Sequence, residues 1–315
     1  MRSSMRSMRW TALGVGLTLL LAGCSKGTNT AAGTSTSPSS SGSAVLTVVA
    51  AENFWGSIAA QLGGSHVAVT SIITNPDTDP HTYEPTTGDA RTVASAKYVV
   101  VNGIGYDPWA PKLLAAQPNA GRKVLTVGDL VGVKEGGNPH RWYSPTDVMK
   151  VIDQITSDYK SLDPGDAAFF DTQHTTYTTT GLAGYTSLIG GIKAKYARTP
   201  VGASESIFAP MADALGLNLL TPSTFLTAIS EGTEPTAADK ATIDAQIKGH
   251  QIKVYVYNSQ NSTPDVAAQV KEAKDAGIPT TTITETLEPP TSTFQDWQSA
   301  QLQSLQAVLP TATGK

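Results

Sequence analysis

The sequence predicts an α/β protein of two halves, each with a mainly parallel central sheet covered by helices. Three observations carry this expectation. Strand-like and helix-like stretches alternate from about residue 45, and the alternation starts afresh after residue 198. The opening units of the two halves also look alike, VVAAENFWGSIAAQLG against PVGASESIFAPMADALG, each setting a glutamate just beyond a strand and aromatics on the first helical turn. In order, LTVVAA reads as a strand, NFWGSIAAQLGG as a helix, VAVTSII and KYVVVNG as strands, and DPWAPKLLAAQ as a helix. Ser144 and Pro145 form a cap followed by proline at the first helical position, and open TDVMKVIDQITSDYKSL with apolar residues at helical spacing. In the second half TPVGAS is a strand, ESIFAPMADALGL a helix and IKVYVYN a strand. Thr263-Pro264 then opens DVAAQVKEAKDAG, and PTTTIT is the last strand.

Between the halves, residues 164–198 contain no strong turn cluster, but their threonines and glycines lower helix propensity. One continuous helix there would reach about 50 Å, long enough to run across both lobes. Propensity alone leaves open whether it is one helix or several.

Ahead of the body, Arg2, Arg6 and Arg9 precede the apolar run WTALGVGLTLLLAG, the pattern of a secretory signal over residues 1–23. Cys24 is the only cysteine, which excludes an internal disulfide and a thiolate metal cage. The ending LAGC resembles a bacterial lipoprotein signal, in which Cys24 would carry the lipid and become the mature N-terminus. Residues 25–44 are Ser/Thr/Gly-rich, too poor in apolar surface to fold, and read with Cys24 as a flexible tether over 24–44. Removing the leader's three arginines takes the formal charge from −4 to −7, which disfavours nucleic-acid partners. The expected body is then a first lobe over 45–163, a linking helix over 164–198 and a second lobe over 199–315.

Among five histidines, two sit in matching settings, DPHTYEPT around His81 and NPHRWYSP around His140. Open α/β sheets bind ligands beyond the carboxyl ends of their strands, and two facing lobes make a cleft. His81 follows VTSII, His140 lies just before the Ser144 cap, Glu205 follows PVGAS, and Glu285 follows PTTTIT. Pro80 and Pro139 fix the backbone before each ring, and Asp77 and Asp79 are candidates to orient His81. His66, His174 and His250 read as structural or solvated. Two imidazoles with carboxylates suit Zn²⁺, Mn²⁺ or Fe²⁺ better than Ca²⁺ or Mg²⁺. Four protein ligands leave no open position for an activated water, so such a site holds metal and does not catalyse. Trp109, Trp142 and Trp297 are dispersed and read as packing or cleft walls.

The signal LAGC, the segment DPHTYEPTTGDARTVASAKYVVVNGIGYDPW, the loop NPHRWYSP and the stretch ASESIFAPMADALGL together resemble the metal-binding lipoproteins of bacterial ABC transporters for zinc and manganese. The resemblance runs from about residue 46 to 308. It implies two α/β lobes joined by one long helix, one metal in the interlobe cleft, a lipid-anchored monomer on the extracytoplasmic face, and delivery to a permease with a cytoplasmic ATPase. His81 and His140 match the family's two histidines. Glu205 falls at a third position where zinc-type members have histidine and manganese-type members glutamate. The fourth is usually an aspartate; here ITETLEPP offers Glu285, with Glu288 nearby. The histidine-rich loop of many zinc-type members is missing between His81 and His140, which shifts the balance toward manganese. Two other readings are a metal-dependent hydrolase, which needs an open coordination position and a general base, and a surface adhesin.

Overall fold

The computed structural model describes residues 45–261 and 263–315. The leader, Cys24 and the whole of the tether lie outside the described residues. The first half contains β1 (Leu46–Glu52), α1 (Asn53–Gly63), β2 (Val67–Ile73), α2 (Thr87–Ser95), β3 (Tyr98–Val101), α3 (Trp109–Ala116), β4 (Lys123–Thr126), α4 (Val127–Val131) and α5 (Pro145–Leu162). The strands pair in the order β2-β1-β3-β4, all parallel, with Val48 opposite both Val69 and Tyr98. β3 is buried along its whole length, as expected for a parallel strand covered on both faces.

The second half contains β5 (Pro200–Ala203), α8 (Ala209–Leu215), β6 (Asn218–Leu219), α9 (Ser223–Ser230), α10 (Ala237–Lys248), β7 (Val254–Asn258), α11 (Pro264–Asp275), β8 (Thr280–Ile283) and α12 (Phe294–Thr313). Its order is β6-β5-β7-β8, again parallel, with Val201 opposite both Leu219 and Val254. Both sheets therefore have the same winding. The likeness of the two opening sequences extends to the whole topology, and it puts Glu52 at the last position of β1 and Glu205 just beyond the equivalent strand β5.

The connecting segment is helical but not one regular helix. After a 3₁₀ turn at Pro164–Asp166 come α6 (Ala167–Thr176), a π-helical turn at Tyr177–Gly181, and α7 (Ala183–Tyr196). Its threonines are accommodated by bonding backward: the hydroxyls of Thr172, Thr175, Thr178 and Thr179 each donate to the carbonyl four residues earlier. At the π turn a Cβ on Gly181 would lie 2.8 Å from the Tyr177 ring, so glycine permits the local packing.

One apolar core runs through both halves, including Trp55, Trp142, Phe208, Phe294 and Trp297. Phe54 stacks on Trp142 with ring centroids 4.0 Å apart. Polar bonds also join the halves: Leu287 N–H donates to Asn53 Oδ1 at 3.3 Å, Phe294 N–H to Ser57 Oγ at 2.9 Å, and Tyr143 Oη–H to the Thr284 carbonyl at 2.7 Å. The carboxyl ends of the two sheets are thereby held close. Among the described residues no helix is long and apolar enough to cross a membrane.

Candidate metal site

The loop after β2 carries His81, and the loop after α4 carries His140. Each histidine is the third residue of an Asx-Pro-His turn. His81 N–H donates to Asp79 Oδ1 at 2.9 Å, and His140 N–H donates to Asn138 Oδ1 at 3.0 Å. The proline fixes the middle of the turn while the side-chain oxygen two residues earlier closes it. The two loops read alike because they are the same device. Asp79 thus holds the His81 backbone rather than its ring, and Asp77 lies in the same loop with its N–H bonded to Asn75 Oδ1.

Tyr106 supports both imidazoles. Its ring meets His81 edge-on at 5.0 Å and His140 at 5.9 Å, and it is itself fully buried against Phe54 and Trp142. His140 is 1% exposed, and its Nδ1 lies 2.8 Å from Asn138 Oδ1. That bond directs Nε2 outward as the available donor atom. Ser206 Oγ, from the other half, lies 3.3 Å from the same Nδ1.

From the second half, Glu205 follows β5 and is 3% exposed, while Glu285 follows β8 with its backbone N–H donating to Gln260 Oε1 at 2.8 Å. His81, Glu205 and Glu285 line one cavity of about 420 Å³, together with Asp77, Asp79 and Asn261. His140 joins them through Glu285, whose Oε1 is 3.7 Å from His140 Nε2, an ion-pair distance. Glu288 is exposed and outside this lining. Three donor atoms here, His81 Nε2, His140 Nε2 and Glu205 Oε1, are buried without a hydrogen-bond partner.

Burial, reinforced by the negative charge of Glu285, pushes Glu205 up to about 8. Burial also acts to raise Glu285, but the facing His140, the His81 charge and the Tyr106 hydroxyl outweigh it and hold this carboxyl below its ordinary value. Burial pushes the His140 imidazole down, with help from His81 and Arg141 and against Glu285. At neutral pH the apo-site therefore has a neutral His140, an ionised Glu285 and a largely protonated Glu205. Beneath them Glu52 is fully buried, and burial with the adjacent Asp107 raises its carboxyl well above the usual range. Asp107 accepts from the N–H groups of Asn102 and Gly103, each at 2.8 Å. A protonated Glu52 beside Asp107 accounts for two buried acids in one place.

Asn138, Tyr106, Ser206 and Gln260 were not singled out by the sequence reading. Only Asn138 had a legible signal, since an Asx residue two before a histidine across proline predicts the turn.

Two matching parallel sheets, with imidazoles from one half and carboxylates from the other meeting at their carboxyl ends, define a two-lobed α/β protein with an interlobe site. The chain belongs to the ZnuA family, zinc-uptake complex component A, periplasmic, whose model matches residues 48–308. The chain is 28% identical over 159 residues, 49% of each chain, to the manganese-binding lipoprotein MntA of Halalkalibacterium halodurans. It is 24% identical over 243 residues to the zinc-binding lipoprotein AdcA of Streptococcus pneumoniae, covering 70% of this chain and 46% of that one. A third relative is the iron-binding protein YfeA of Yersinia pestis, 30% identical over 120 residues, 36% of this chain and 38% of that one. The chain spans about half the length, or less, of these curated relatives. Among solved structures, a Mn-bound mutant of the periplasmic metal-binding protein from Candidatus Liberibacter asiaticus superposes with a TM-score of 0.71 at 21% identity. It covers 84% of this chain and 99% of that one. A crystal structure of ZnuA gives 0.66 at 22% identity, over 85% and 98% of the two chains. At such identities the structural likeness speaks to the fold.

Proposed function

We propose that the protein captures one divalent transition metal, Zn²⁺ or Mn²⁺, with His81, His140, Glu205 and Glu285, and delivers it to an ABC importer permease driven by a cytoplasmic ATPase. The observation that carries this reading is the set of buried, unsatisfied donors at one cleft: His81 Nε2, His140 Nε2 and Glu205 Oε1, with Glu285 facing them. Each buried polar atom left without a partner costs about 1–3 kcal/mol, and one cation satisfies all of them. Family membership and relatives named for manganese, zinc and iron support the class of cargo. Neutral imidazoles and carboxylates accept zinc, manganese or iron(II); intrinsic affinity favours zinc over manganese, so geometry and supply decide the cargo in the cell. No three of these four place donor atoms all within 4.8 Å of one another, so capture draws the lobes' donors together.

With four protein ligands the metal has no position for an activated water, and the protein acts as a carrier rather than a hydrolase. The chain works as a monomer held to the outer face of the membrane by lipid on Cys24. Metal analysis of purified protein, followed by competitive Zn²⁺/Mn²⁺ titration of wild type, His140→Ala and Glu285→Ala, tests the reading. One metal per chain and weakened binding in both variants is expected; wild-type affinity in both variants would overturn the four-ligand assignment.

A further inference from the structure

Among the described residues, the group of potential ligands whose donor atoms all lie within 4.8 Å of one another is not in the cleft: it is His66, Asp163 and Asp166. We propose that this trio is a second, independent binding site for a divalent transition metal, at the root of the helical connector.

The three residues come from two stretches that the fold brings together, His66 from one and Asp163 with Asp166 from the other. His66 ends the short 3₁₀ turn between α1 and β2, Asp163 follows the C-terminus of α5, and Asp166 closes the 3₁₀ turn that leads into α6. None of them lines either cavity that contains His81. The imidazole is set in place before any ion arrives: its ring lies 4.0 Å from that of Phe169 and meets Phe170 edge-on at 6.1 Å. Its Nδ1 is 2.7 Å from Asp166 Oδ2. His66 and Asp166 keep 27% and 23% of their side chains exposed, so ions have access from solvent. No lysine or arginine among the described residues makes an ion pair with Asp163.

One imidazole and two carboxylates are the donor set of a transition metal rather than of calcium or magnesium. Zinc bonds at about 2.0–2.1 Å with tetrahedral angles, which places donors roughly 3.3 Å apart. His66 Nδ1 and Asp166 Oδ2 need open by only about 0.6 Å to admit an ion in place of the proton they share. The two carboxylates balance the dication, and solvent completes the shell. A metal here would bind the turn before β2 to the start of α6, stiffening the junction where the connector leaves the first lobe.

The test uses the full chain with its cleft disabled by His81→Ala/His140→Ala, titrated with Zn²⁺ by equilibrium dialysis and followed by thermal melting. One zinc is expected to remain bound and to raise the melting temperature. Adding Asp163→Asn, which leaves the His66–Asp166 pair in place, should weaken that zinc at least about tenfold, and His66→Ala should abolish it. Zinc bound by the cleft-disabled chain but unaffected by either substitution would overturn the assignment, as would no zinc at all. Loss of the cleft metal in the double variant reports on the proposed carrier site separately, so either site can fail without the other.

Discussion

Metal capture at the cleft should expel a proton, and the structure says which one. Glu205 is pushed up to about 8 by burial and by the neighbouring Glu285 charge. At pH 7 it is therefore about nine-tenths protonated before metal arrives, and coordination must remove that proton. His140 is held neutral by its burial and contributes none. Binding at pH 7 should release about 0.9 proton from Glu205, at a cost of about 1.4 kcal/mol relative to a site already ionised. From pH 8 down to pH 6 the affinity should fall about fifty-fold through this group. Calorimetry of Zn²⁺ binding in buffers of different ionisation enthalpy measures the released proton directly, and competition titrations across pH 6–8 measure the slope. A pH-independent affinity with no proton released at pH 7 would refute the reasoning. The same group sets the stability of the metal-free protein. Its folded value lies above the ordinary 4.5, so its contribution is full below about 4.5 and is lost as pH rises toward 8. Glu285, held low, contributes in the opposite sense and is lost only on acidification below its ordinary value. Melting temperature without metal should fall between pH 5 and 8, and zinc should recover more of it at the upper end.

Asn138→Ala removes the acceptor that closes the His140 turn and orients its ring, and should weaken metal binding about 10–100-fold in competitive titration while also lowering the melting temperature of the metal-free protein. Glu52→Gln keeps the shape of a buried protonated acid without its titration. It should raise the melting temperature at pH 8 and flatten its decline above pH 5, and an unchanged pH profile would contradict the buried acid pair. Gly181→Ala places a Cβ 2.8 Å from the Tyr177 ring at the π turn and should cost about 1–3 kcal/mol in denaturant unfolding.

The sequence made the paired α/β halves legible because strand and helix periods alternate cleanly, and because β1-α1 and β5-α8 share a pattern of residues. Five helices, α2, α4, α9, α10 and α12, and the strands β4 and β6 were not read from it. β6 is two residues long, and α10 has a nearly uniform mixture of polar and apolar positions, so neither leaves a periodic signal. The connector was hard to read for a different reason: its threonines disfavour helix in isolation but return their hydroxyls to the preceding turn once packed. In the cleft, His81 and His140 stood out as two Pro-His pairs in matching settings, and the Asx turns that hold them emerged only in the structure. Tyr106, which supports both rings, did not, because a buried tyrosine looks the same in sequence whether it fills space or braces a site. The trio of His66, Asp163 and Asp166 was invisible for a topological reason. About a hundred residues separate His66 from Asp166, and only the packing of α6 against the first lobe brings them together.

The central claim is that one metal is held jointly by both lobes. Crystals grown with Zn²⁺ and measured at the zinc absorption edge test it most directly. The expected result is an anomalous peak in the cleft, bonded at about 2.0–2.2 Å to His81 Nε2, His140 Nε2, Glu205 and Glu285. A cleft without a peak, or an ion held by the two histidines with both glutamates turned away, would contradict it.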